Sequence, residues 1–264
     1  MKGMVGQLKP RERRGSKPRC HLITHGPAQE VADRLTSLVA PFASISSKDS
    51  WMPDGFTDVE EAELHKAPRL VPSSYATQLA EWWLPENRAN ARTPNFDIAS
   101  TCTVEGKPGL LLVEAKAHEA ELINEAAGRR LAATASEDRK ASHKTIGAAV
   151  KSARIGLAAA TSLEWRISRD SHYQMSNRFA WSWKLADLGV PVVLVYLGFL
   201  KADDMCKPGE LPLADAAAWE ALVRTQSAEL FPAGVWGNRW FVNGVPFIPL
   251  IRSLELRLGE ETAA

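Results

Sequence analysis

Residues 94–116 have the sequence PNFDIASTCTVEGKPGLLLVEAK, and the pattern of this segment is the basis of the predicted architecture. Residues 96–104 are rich in small and β-branched side chains, residues 105–109 contain two glycines and a proline, and residues 110–116 resume as an apolar run. This pattern predicts a β-hairpin. Its second strand is apolar on both faces before it turns charged, as a central strand does where it leaves a core. We therefore expect the chemistry of the protein at that charged end.

Further elements are predicted on both sides of the hairpin. The spacing of apolar residues predicts helices over residues 29–39 and, from a cap at residue 73 or 74, up to the proline at residue 85. Alanine-rich segments predict helices over 119–134 and 143–160, and another helix over 171–188 is expected to be capped by Ser168 or Asp170. Residues 190–199 have the content of a strand buried on both faces, which should lie beside the hairpin. Asn243-Gly244 predicts a second hairpin over 240–248.

The order of these elements predicts an α/β or α+β layered fold. Residues 1–20 hold seven basic side chains and one acidic side chain, the composition of a disordered arm. Residues 21–90 are predicted to form a helical region packed on the core. Residues 91–264 are predicted to form the core itself, with the C-terminal hairpin as an accessory extension.

Bulk composition limits the classes of function. The 32 Lys and Arg nearly cancel the 31 Asp and Glu, so the net charge of +1 argues neither for nor against a nucleic-acid partner. Three cysteines that lie far apart fit a reducing compartment. The longest apolar run, residues 190–200, is shorter than the roughly 20 residues that span a bilayer. We therefore expect a cytoplasmic protein without a membrane partner, and the sequence leaves a homo-oligomer open.

The charged end of the second strand brings acidic and basic groups together. Because side chains alternate along a strand, Glu114 and Lys116 should point to the same face. If the chain folds back between residues 106 and 107, Asp97 lies opposite Lys116 and diagonal to Glu114 on that face. A shift of the register by one residue would destroy this arrangement.

Two carboxylates on adjacent strands suit a hard cation. Mg²⁺ and Mn²⁺ prefer oxygen ligands, which Asp97, Glu114 and the backbone carbonyl of Ala115 would supply. Such a cation polarises a phosphodiester and lowers the pKa of a bound water, while Lys116 would orient that water or stabilise developing negative charge. The alternative is a simple exposed ion pair between Glu114 and Lys116 at a strand end.

The sequences PNFD at residues 94–97 and VEAK at residues 113–116 resemble the PD-(D/E)xK, or restriction-endonuclease-like, nuclease superfamily. The resemblance covers the hairpin and, more loosely, the helix and strand up to residue 199. It implies a restriction-endonuclease-like core, with a central mixed sheet flanked by helices. It also implies Mg²⁺-dependent hydrolysis of phosphodiester bonds, DNA rather than RNA as substrate, and metal ligation by Asp97 and Glu114. A second D-x-K pattern, at residues 138–140, lies in a polar segment without strand character.

Three further residues are candidates, two of them through this resemblance. Members of the superfamily often place a polar side chain from the following helix near the metal, and Gln174 is similar to it. Arg178 shares a helical face with Gln174 and is a candidate phosphate contact. Glu81, on the helix before the hairpin, is a candidate third acidic ligand. The alternative for each is a solvated helix surface.

A basic cluster follows the hairpin, in which Lys140, Lys144 and Lys151 approximate one helical stripe. Such a stripe could follow a phosphate backbone, and a solvated helix face is the alternative. The sequence thus predicts a metal-dependent nuclease. A nucleic-acid-binding module of the same fold without catalysis is the principal alternative, and a structural or interaction protein is the third.

Overall fold

The computed structural model describes residues 5–86, 92–206 and 212–258. Residues 1–4 of the predicted arm, 87–90 of the predicted helical region and 91, 207–211 and 259–264 of the predicted core lie outside the described residues. The described helices are α1 (Ser16–Ile23), α2 (Ala28–Val39), α3 (Ser73–Trp83), α4 (Glu119–Ile123), α5 (Glu137–Thr161), α6 (Tyr173–Asp187) and α7 (Ala216–Ser227). The described strands are β1 (Ala43–Ser44), β2 (Trp51–Met52), β3 (Ala62–Glu63), β4 (Asn95–Phe96), β5 (Ile98–Val104), β6 (Lys107–Lys116), β7 (Val192–Leu200), β8 (Trp240–Val242) and β9 (Val245–Glu255).

A mixed sheet forms the centre of this α/β fold. Its strands follow the order β1-β5-β6-β7-β9-β8, and β2 also pairs with β5. The pairing of β5 with β6 is antiparallel, whereas β6, β7 and β9 run parallel. The predicted strand beside the hairpin is therefore confirmed as β7. The helices between β6 and β7 form the crossover that a parallel pair requires.

Each face of the sheet is covered by helices. Leu112 and Leu194 pack on one face in a core that includes buried residues of α3, α5, α6 and α7. Val113 and Val195, which point the other way, pack with buried residues of α1 and α2. This explains why residues 110–113 of β6 and the whole of β7 are apolar in sequence, because a strand covered on both faces has no side exposed to water.

The β5–β6 hairpin turns at a different place from the expected one. Val104 pairs with Lys107, and Glu105 and Gly106 between them have φ values of 51° and 78°. Two consecutive positive φ values are those of a type I′ turn, the tight turn that suits the twist of a two-residue hairpin. The chain therefore folds back between residues 105 and 106. Compared with the predicted register, β6 is displaced by two residues, so the assignment of side chains to faces is preserved.

The C-terminal hairpin is confirmed, with Asn243 and Gly244 at φ values of 51° and 78°. Its description as an accessory extension is wrong. After the turn, β9 continues to Glu255 and pairs in parallel with the whole of β7. Because β8 pairs on its other side, β9 is an interior strand of the main sheet.

The expectation of a disordered arm is wrong for residues 16–20, which belong to α1. Arg19 is buried there, and its guanidinium pairs with Asp204 at 2.5 Å and donates to the carbonyl of Leu256 at 2.8 Å. A basic side chain that is paired in this way joins the N-terminal segment to the core instead of keeping it in solvent.

Helix boundaries around the site also differ from prediction. The predicted helix over 119–134 is limited to α4 and a short 3₁₀ turn at Asn124–Ala126, whereas α5 begins earlier than expected and is capped by the Ser136 hydroxyl. Neither Ser168 nor Asp170 caps α6, which begins after His172 without a side-chain cap. Within the described ranges, no helix combines the length and the apolar character needed to cross a membrane.

Candidate active site

Glu114 and Lys116 lie at the carboxyl end of β6, on the face that α6 covers. Their relative exposures are 1% and 6%, and the Lys116 ammonium donates a hydrogen bond to Glu114 Oε1. The predicted shared face is therefore confirmed. The pair is buried beneath other side chains, so the alternative of an exposed ion pair is wrong.

Helix α6 supplies two donors to the same carboxylate. Gln174 donates from Nε2 to Glu114 Oε1, and Arg178 donates from Nε to Glu114 Oε2 at 2.5 Å. Gln174 and Arg178 are four residues apart and thus share one face of the helix, which is why both reach Glu114. Arg178 also donates to the carbonyl of Asn95 at 2.7 Å and lies over the Phe96 ring. The structure thus brings both predicted helix residues to the site.

Asp97 lies immediately before β5, beside the end of β6. Its backbone N–H donates to the carbonyl of Val113 at 3.1 Å, and its Oδ2 accepts from the backbone N–H of Ala115 at 2.7 Å. Extending the β5–β6 register by one residue places Asp97 level with Glu114 and not with Lys116. The predicted position opposite Lys116 is wrong, because the turn lies one peptide earlier than expected.

Burial and charge shift the acid–base properties of this cluster. Loss of hydration, strengthened by the nearby Glu114 charge and opposed by Lys116, raises the pKa of Asp97 to about 8. Burial by itself would raise the pKa of Glu114, but Arg178 and Lys116 outweigh it and hold that pKa below its ordinary value. Burial lowers the pKa of Lys116, and Glu114 and Glu125 more than reverse this effect. Near neutral pH, Lys116 is therefore a cation and Asp97 is mostly protonated.

A cavity of about 780 Å³ opens above the cluster. Asp97, Gln174 and Arg178 line it, whereas Glu114 and Lys116 lie behind these side chains and are not part of the lining. Four arginines line the cavity: Arg92, Arg129, Arg139 and Arg178. Guanidinium groups bind phosphate oxygens through paired hydrogen bonds, so Arg92, Arg129 and Arg139 supply donors for phosphate, while Glu61 and Asp138 add negative charge to the same lining.

Sequence analysis did not identify two acidic residues near the cluster. Glu61 lines the cavity and accepts a hydrogen bond from Asn95 at 3.3 Å, although it belongs to an acidic, irregular stretch without a recognisable pattern. Glu125 is 7% exposed, and its Oε1 lies 2.6 Å from the Lys116 ammonium. It lies within the predicted helix over 119–134 and has no motif around it. Only the folded chain brings these side chains to the site.

The other predicted residues are distributed over the surface. Glu81 is exposed on α3 and does not line the cavity, so the structure does not bring it to the site. Lys140 is exposed and pairs with Glu137 at 2.7 Å. Lys144 and Lys151 are exposed on α5 and line a separate cleft of about 390 Å³ with Arg154.

The donor set for a metal ion consists of two carboxylates. Among the side chains that the structure describes, no group of three or more His, Cys, Asp or Glu is arranged to hold a metal. Asp97 and Glu114 nevertheless fit the usual coordination of Mg²⁺ in proteins. This ion is often held by one or two carboxylates and completes its coordination shell with water and phosphate oxygens. Because protein donors occupy both Glu114 oxygens, ligation by Glu114 requires at least one of them to move.

Comparisons with known proteins leave this site as the main evidence on function. No family model matches the chain, no curated protein matches it, and no solved structure matches its fold. The resemblance to the PD-(D/E)xK superfamily therefore depends on the motif residues alone.

Proposed function

We propose that the protein is a metal-dependent nuclease that hydrolyses phosphodiester bonds, with DNA favoured over RNA as substrate. One observation carries the proposal: Asp97, Glu114 and Lys116 converge at the end of one central strand, below a cavity that four arginines line. An acidic pair next to a lysine and beneath a phosphate-binding surface is the combination that phosphodiester hydrolysis needs. The antiparallel hairpin, helical crossover and parallel strand around these residues are consistent with the resemblance stated above.

Each residue has a defined task in this proposal. Asp97 and Glu114 would hold Mg²⁺ or Mn²⁺, with the Ala115 carbonyl as a further predicted ligand. When bound, the cation would polarise the phosphodiester and lower the pKa of a water molecule. Because its pKa is raised, Lys116 stays protonated and acts as a donor to developing negative charge, not as a base that removes a proton.

Binding of the substrate would extend beyond the cavity along α5. Arg139 of this helix lines the cavity, and Lys144, Lys151 and Arg154 line the adjoining cleft. At a rise of 1.5 Å per residue, Arg139 and Arg154 are separated by about 22 Å along the helix axis. A phosphate backbone that leaves the cavity could therefore follow α5 over several nucleotides.

A nucleic-acid-binding module without catalysis is the second candidate, and one observation favours it. Lys116 and Arg178 already compensate the charge of Glu114, so the buried cluster needs no metal for electrostatic balance. In that case the arginine-lined cavity binds phosphate and Glu114 has only a structural role.

A cleavage assay decides between the two candidates. Purified protein is incubated with single- and double-stranded DNA and RNA in Mg²⁺, in Mn²⁺ and in chelator. We expect cleavage only with a divalent cation, and a loss of about 100-fold or more in Asp97→Asn and Lys116→Met. Asp138→Asn is the matched control, because Asp138 also lines the cavity but belongs to the second D-x-K pattern.

Binding is measured in parallel in the presence of chelator. If the wild type binds DNA but cleaves no substrate with either cation, the binding module is the correct function. If Asp97→Asn cleaves as fast as Asp138→Asn, the assigned site is wrong.

A further inference from the structure

Glu125 is a buried carboxylate for which the proposed reaction has so far no task. It belongs to the 3₁₀ turn Asn124–Ala126, and its only ion pair among the described residues is with Lys116, at 2.6 Å. Burial raises the pKa of Glu125 to about 7, and the Glu114 charge adds to this rise while Lys116 opposes it. A carboxylate in such a position destabilises the fold unless a cation accompanies it.

The turn that bears Glu125 is fastened to the segment before α6. The backbone N–H of His172 donates to the carbonyl of Ala126 at 3.1 Å, and Ala127 forms an isolated β-bridge with Ser171. The same segment leads into the helix that supplies Gln174 and Arg178. The Glu125 carboxylate is therefore held in a fixed place relative to the other side chains of the site.

Lys116 thus lies between two carboxylates, Glu114 and Glu125. Glu114 is also paired with Arg178, so Glu125 balances the second positive charge of the cluster and gives Lys116 a partner of its own. A divalent cation bound to Glu114 would repel Lys116 and compete with it for the same oxygens. With Glu114 as its only partner, Lys116 would then leave its position when it is needed for the reaction.

We propose that Glu125 is a positioning residue that holds the Lys116 ammonium in place when Glu114 binds the metal. This inference rests on the proposed function. It assigns Glu114 to the cation and Glu125 to the lysine, and it explains why a buried lysine in this protein contacts two acidic side chains.

Glu125→Gln tests the inference, because it removes the charge but keeps the shape of the side chain. Glu121→Gln is the matched control: Glu121 lies in the preceding helix and accepts a hydrogen bond from the Ala117 N–H at 3.0 Å, but it forms no described ion pair with Lys116. We expect Glu125→Gln to lower kcat by about tenfold with KM within about twofold of the wild-type value. Glu121→Gln should keep the wild-type kcat and KM. Glu125→Asp should recover part of the kcat that Glu125→Gln loses.

A second measurement does not depend on cleavage. An amine-reactive reagent labels lysines, and mass spectrometry follows the labelling rate of Lys116 with and without Mg²⁺. Calorimetry with Mg²⁺ alone measures metal binding by each variant. In the wild type and in Glu121→Gln, Lys116 should stay protected in both conditions. In Glu125→Gln, Mg²⁺ should increase its labelling rate by about tenfold, because the released ammonium reaches solvent.

The outcomes separate this inference from the proposed function. If the wild type binds Mg²⁺ and cleaves DNA, but Glu125→Gln keeps its kcat and its slow labelling, only the role of Glu125 is overturned. If Mg²⁺ binds to none of the proteins, the metal-dependent function and the role of Glu125 are both overturned. A proportional loss of folded protein and activity in Glu125→Gln, without faster labelling of the folded fraction, would assign Glu125 a structural role and also overturn the inference.

Discussion

Replacing Asp97 by Asn should stabilise the protein at neutral pH, although it removes a residue of the proposed active site. The pKa of Asp97 is about 8 in the folded protein, against an ordinary value of 3.8. Between these two values, the folded state binds a proton that the unfolded state has lost, so the free energy of unfolding falls as the pH rises. Asparagine resembles the protonated acid, cannot ionise, and keeps an oxygen that accepts from the Ala115 N–H.

The magnitude follows from the proton that is taken up. One proton bound only in the folded state changes the free energy of unfolding by at most about 1.4 kcal/mol per pH unit. This slope is set by the single proton and stays close to its full value while the pH lies between the ordinary pKa and the folded-state pKa of about 8. From pH 5 to pH 7, Asp97→Asn should therefore gain about 2.7 kcal/mol relative to the wild type.

Urea unfolding at pH 5, 6, 7 and 8 in the presence of chelator measures this difference. Asp138→Asn is the control, because Asp138 also lines the cavity but is exposed on α5. A constant difference between Asp97→Asn and the wild type across this range would refute the reasoning. It would mean that the Asp97 carboxylate is hydrated and ionised in the folded protein.

Two other predictions concern the α5 surface and the sheet. Replacing Lys144 and Lys151 together by Ala should reduce the slope of log affinity for DNA against log salt concentration by about two. Lys201→Ala is the control, because Lys201 pairs with Glu255 away from the cleft, and it should leave this slope unchanged. Fluorescence anisotropy at salt concentrations of about 50–300 mM measures the slope. An unchanged slope in the double variant would exclude the cleft as a DNA contact. Gly198→Ala should cost about 1–3 kcal/mol in urea unfolding, because the added Cβ would lie 2.5 Å from the buried Trp219 ring. If the urea midpoint of Gly198→Ala equals that of the wild type, the Trp219 ring can move aside.

The sequence predicted the faces of the hairpin better than its register. Period-2 alternation places Glu114 and Lys116 on one face of β6 whatever the turn, and the structure has them in contact. Asp97 shares that face for any turn that keeps the parity. The exact turn depends on which two residues adopt positive φ. Here Glu105 does so together with Gly106, and glutamate is not a residue from which this would be expected. The position of Asp97 was therefore wrong by two residues along β6.

Other parts of the site depend on contacts between distant segments. Gln174 and Arg178 could be predicted because a helical face and a family resemblance select them together. Glu61 and Glu125 could not, since each comes from an irregular segment or a short turn that only tertiary packing brings to the cluster. Arg19 is a comparable case: its burial depends on Asp204, which is far away in sequence, whereas local composition favours a solvated arm.

The interior position of β9 has a consequence for synthesis of the chain on the ribosome. Until residues 245–255 have emerged, the edge of β7 that β9 covers offers its backbone hydrogen-bonding groups along an almost wholly apolar strand. Such an edge readily recruits strands from other chains, so nascent or truncated chains that end before β9 are expected to aggregate. The emergence of β9 thus determines when this edge of the sheet is protected from misassembly.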